Sequence, residues 1–100
     1  MSRERPRVLL VEFTRPDPAA VALGRVLRDD GVEVIHAGPL DTAEQILRTA
    51  EQEDPDAVVV LGAEPPDLPG LRVMTDPEEA VKWLRGGRSH TAGAPSDRVR

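Results

Sequence analysis

The run TAEQILRTAEQEDPDAVVVL, residues 42–61, holds a helix, its stop and a strand. Ala43, Ile46, Leu47 and Ala50 recur at helical spacing and make one apolar stripe. Two capping boxes compete at the start, because Asp41 with Glu44 and Thr42 with Gln45 both have the required spacing. Asp54-Pro55-Asp56 then ends the helix, since proline has no N–H to continue the ladder. Ala57-Val58-Val59-Val60-Leu61 follows without a polar residue. A strand apolar on both sides is buried on both faces, as in a parallel sheet covered by helices.

Toward the amino terminus the same unit repeats. Arg7-Val8-Leu9-Leu10-Val11 reads as a first buried strand. Asp17-Pro18 starts a helix, with Asp17 accepting from orphan amides and proline tolerated at the first helical position. Ala20, Leu23 and Leu27 form its inner stripe, with Val26 beside them, and Gly31 supplies the stop. Val32-Glu33-Val34-Ile35-His36 is a second strand, after which Gly38-Pro39 is expected to turn the chain. Alternating strands and helices predict a three-layer α/β fold around a parallel sheet with right-handed crossovers. The expected order is 2-1-3, as in a truncated flavodoxin-like fold. Ligands of such folds sit at the carboxyl ends of the strands. Here that edge comprises residues 12–17, 36–41 and 62–66.

The last third departs from this rhythm. Residues 62–70 hold three prolines and two glycines and cannot form a regular helix. Leu71-Arg72-Val73-Met74 predicts a short fourth strand whose direction the residues leave open. Parallel returns usually pass through a helix, but an extended segment of this length also spans the distance. Asp76-Pro77-Glu78-Glu79 starts a final helix that Gly86-Gly87 stops. Its Ala80, Val81 and Leu84 face the sheet, and Trp83 covers an edge. The expected layout is a loose N-terminus over 1–5, one domain over 6–87 and a disordered tail over 88–100.

Composition narrows the chemistry. With 100 residues the chain holds a single domain, and its only aromatic residues are Phe13 and Trp83. The core is therefore aliphatic and thin, a condition that pairing with a second copy would relieve. A net charge of −5 argues against nucleic-acid or anionic-membrane partners. The absence of cysteine excludes disulfides, thiolate catalysis and cysteine metal sites. Apolar runs are too short for a membrane span, and a cytoplasmic protein is the simplest expectation.

Three segments carry a family resemblance: RPRVLLVE (5–12), GRVLRDDGVEVIHAG (24–38) and LDTAEQILRTAEQEDPDAVVVLG (40–62). Together with TDPEEAVKWLR (75–85), they resemble the cobalamin-binding domain of methylmalonyl-CoA mutase and related acyl-CoA mutases. The resemblance implies cobalamin as cofactor and an acyl-CoA mutase large subunit as partner. It also implies an Asp-x-His-x-x-Gly loop after the first strand, whose histidine ligates cobalt. Counted back from Gly31, that histidine falls near Pro16, which cannot ligate a metal. The family's Ser-x-Leu near the third strand is replaced by Leu61-Gly62-Ala63-Glu64. Its later Gly-Gly segment is missing, with about a helix, a strand and a helix deleted between Leu61 and Leu71.

The leading expectation is thus a non-catalytic interaction or accessory module derived from such a domain, with no cofactor and no metal. Its partner is itself, as a homodimer, or an acyl-CoA mutase large subunit, and Leu71, Val73, Met74 and Trp83 are the expected interface. The alternative is a cobalamin-carrying subunit of an isomerase that binds without a histidine ligand. In that case Thr14, Arg15, Asp17, His36 and Gly38 contact the corrin.

Residues 7–12 and 55–74 also resemble a phosphorelay receiver domain, but its acceptor aspartate falls on Leu61 or Gly62, and the only lysine is Lys82. Glu12 and Glu64 could converge as an acid/base pair but read first as solvated loop charges, and His36 could be a proton carrier or metal ligand but reads first as a capped strand-end histidine. No residue is assigned as catalytic. His90 and the terminal serines belong to the expected tails.

Overall fold

The computed structural model describes residues 5–87. The N-terminal residues 1–4 and the predicted tail, His90 included, lie outside the described residues. The elements are β1 (Arg7–Phe13), α1 (Pro18–Asp29), β2 (Glu33–Leu40), α2 (Ala43–Glu53), β3 (Ala57–Leu61), β4 (Val73–Met74) and α3 (Pro77–Lys82). A π-helical turn, Trp83–Gly87, prolongs α3. The four strands form one sheet in the order β2-β1-β3-β4, and all three pairings are parallel. This is an α/β architecture with the strand order of flavodoxin-like folds.

The sheet separates two apolar layers. Val8 and Leu10 of β1 and Ala57, Val59 and Leu61 of β3 point to one face, where Ala20, Leu23, Leu27, Ala80 and Leu84 meet them. Leu9, Val11, Val58 and Val60 point to the other, against Ile46, Ala50 and Leu68. Because side chains alternate along a strand, a wholly apolar run serves both layers at once. Every residue of β3 is buried.

Local chemistry sets the helix ends. Asp17 caps α1 by accepting from the Ala19 N–H at 2.9 Å, with Pro18 inside the first turn. Gly31, at φ +90°, follows the C-cap Asp30 and lets the chain leave the helix. Of the two capping boxes available to α2, the one used is Thr42 with Gln45. Asp76 caps α3 through the Glu78 N–H.

Three sequence expectations need correction. Gly38-Pro39 does not turn the chain, because β2 continues to Leu40. The strand lies at the sheet edge, where proline's missing N–H leaves no ladder bond unmade. A register shift between Val11 and Phe13 absorbs the irregularity. β1 runs on to Phe13 rather than stopping at Val11. The final helix is regular only to Lys82 and continues as the wider turn Trp83–Gly87, which includes both glycines.

The open question of β4 is answered by packing. β4 lies parallel to β3, with Val73 opposite Val58 and Met74 opposite Val59. The connecting segment 62–72 has no helix. It lays Leu68, only 6 % exposed, on the α2 layer, with Leu71 partly buried beside it. Burying one leucine contributes about 2 kcal/mol. The proline-rich loop thus covers the sheet where a crossover helix would otherwise lie.

At the amino edge Arg7 binds three elements together. Its guanidinium reaches Glu33 of β2 at 3.1 Å and the Glu53 carbonyl at the end of α2 at 2.6 Å. Its N–H donates to the Asp56 carboxylate at 2.7 Å. Charge-assisted bonds of this kind are stronger than neutral ones.

Candidate functional site

The carboxyl ends of β1, β2 and β3 form the edge where this strand order predicts a ligand. Glu12 is its centre. One carboxylate oxygen accepts from the Asp17 N–H at 2.9 Å, and the other accepts from His36 Nε2 at 3.0 Å. The Glu12 side chain is 13 % exposed, whereas that of His36 is 32 % exposed. A carboxylate bonded through both oxygens works here as a brace between β2, β1 and the start of α1. Glu12 therefore holds His36 and the capping residue Asp17 in place.

Two glycines bring backbone close to this brace. Gly38 adopts φ +136°, and a Cβ there would lie 2.8 Å from the Glu12 carbonyl oxygen. Gly62 adopts φ +97°, with Arg15 and Phe13 carbonyl oxygens 2.7 and 2.8 Å from where its Cβ would be. Any side chain at Gly62 would lift the loop after β1 from the end of β3. Thr14 takes φ +67°, uncommon for a β-branched residue, and its N–H donates to the Leu40 carbonyl at 2.7 Å. The loop is thus pinned to both neighbouring strands.

Beside Asp17 opens a cleft of about 650 Å³. Asp17, Gly62, Glu64, Thr75 and Pro77 are among its lining. Glu64 is on this cleft and Glu12 is not, so the proposed acid/base pair is divided between the cleft and the brace.

The sequence-predicted cofactor residues fall in two groups. Asp17, His36 and Gly38 gather around Glu12, while Thr14 and Arg15 stand exposed on the loop. Pro16, where the family resemblance places a cobalt-ligating histidine, is exposed and offers no donor. His36 projects from β2 and is bonded to Glu12 through Nε2. The residues at this edge therefore do not fit a cobalamin ligated by a histidine after the first strand. Among the described residues no three His, Cys, Asp or Glu side chains converge to hold a metal ion. Lys82 lines a groove between α1 and α3.

Of the expected interface residues, Met74 is buried at 4 % exposure inside the α1-side layer. Leu71 and Val73 are partly buried on the α2 side, and Trp83 on the α1 side.

A surface that sequence reasoning passed over lies on α1. Val21 and Val26 are the exposed large hydrophobic residues among those described, at 59 % and 40 %. Ala19, Ala22, Leu23 and Val26 form one wall of a groove of about 510 Å³, and Pro77, Glu78, Val81 and Lys82 form the other. Its signal was present as a second stripe at helical spacing beside Ala20, Leu23 and Leu27. No helix among the described residues is long and apolar enough to cross a membrane.

No family model matches the chain, and no curated protein matches it.

Proposed function

We propose that this chain is a non-catalytic protein-interaction module derived from a cobalamin-binding domain. One observation carries the reading: the polar groups at the ligand edge are bonded to one another, while α1 exposes valine. Glu12 is committed to Asp17 and His36, and the loop after β1 is pinned to Leu40 and pressed against Gly62. Exposed aliphatic residues beside an apolar groove are a feature of surfaces that meet another protein. The resemblance to acyl-CoA mutases makes a mutase large subunit the natural client of such a module.

Equilibrium dialysis against adenosylcobalamin tests this reading. No retention of cofactor at micromolar concentration is expected. Retention would replace it with the alternative of a carrier subunit that binds without a histidine ligand. The cleft lined by Asp17, Glu64 and Thr75 is the feature that favours that alternative. Substituting Asp17 and Glu64 together would then abolish the retention.

A further inference from the structure

We draw no further inference here: the strongest candidate, the apolar groove between α1 and α3 with Ala22, Val26 and Val81 on its walls, is an unpartnered face, and nothing in the structure shows what covers it.

Discussion

The two helical layers of this protein differ in what their outer surfaces are made of. On one side α2 buries Ile46 and Ala50, and its exposed residues are polar: Glu44, Gln45, Arg48, Glu51 and Gln52. Arg48 and Glu44 pair at 2.8 Å along the solvent face. On the other side α1 buries Ala20, Leu23, Gly24 and Leu27, yet still exposes Val21, Ala22 and Val26. A helix needs one apolar stripe to cover a sheet. The α2 layer stops at that requirement, and the α1 layer exceeds it. Apolar surface in excess on one layer only is the observation on which the proposed interaction reading rests.

That contrast can be broken by substitution. Ile46→Ala in the α2 layer removes a fully buried side chain and is expected to cost about 3–4 kcal/mol, read as a fall in the urea midpoint. If it cost less than the equivalent change at Leu27, the α2 layer would not be the more completely closed one. Leu68→Ala tests the loop that stands in for a crossover helix. A loss of about 2–3 kcal/mol is expected, with faster hydrogen exchange across residues 62–72. Unchanged exchange there would mean that the loop is held by its prolines and not by its leucine.

Smaller effects sharpen the comparison. Thr42→Ala removes the capping box of α2, whose Thr42 hydroxyl accepts from the Gln45 N–H at 3.1 Å. It should cost about 1 kcal/mol in the same unfolding measurement. Val21→Thr, on the exposed side of α1, should change the stability of the dilute monomer by no more than about 0.5 kcal/mol. A larger loss would mean that Val21 packs within the folded chain and that the apolar surface of α1 is not in excess.

Much of this fold was legible before any coordinates. Asp17-Pro18, Thr42 with Gln45 and Asp76-Pro77 each marked a helix start that the structure uses. These signals are legible because a cap acts on amides two or three residues away, so its chemistry is local. The candidate site was legible in its membership and not in its wiring. Asp17, His36 and Gly38 were placed at the correct edge, but Glu12 reads from sequence as a solvated loop charge, whereas its carboxylate binds His36 and the Asp17 N–H. Which acid meets which base depends on strand register, and β2 carries a shift that no spacing rule exposes.

Gly38-Pro39 makes the same point. In isolation the dipeptide signals a turn, yet at a sheet edge proline omits only a bond to solvent. Its meaning is set by having β1 on one side and no other strand among the described residues on the other.

By itself the amino-acid order determined the alternation of strands and helices, the helix starts, and the doubly apolar β1 and β3, since periodicity and caps act within a few residues. Tertiary structure alone decided the parallel direction of β4, the partners of Glu12 and the groove between α1 and α3. Each of these depends on segments distant in the chain meeting at a particular register, and backbone close approach at Gly38 and Gly62 fixes that meeting.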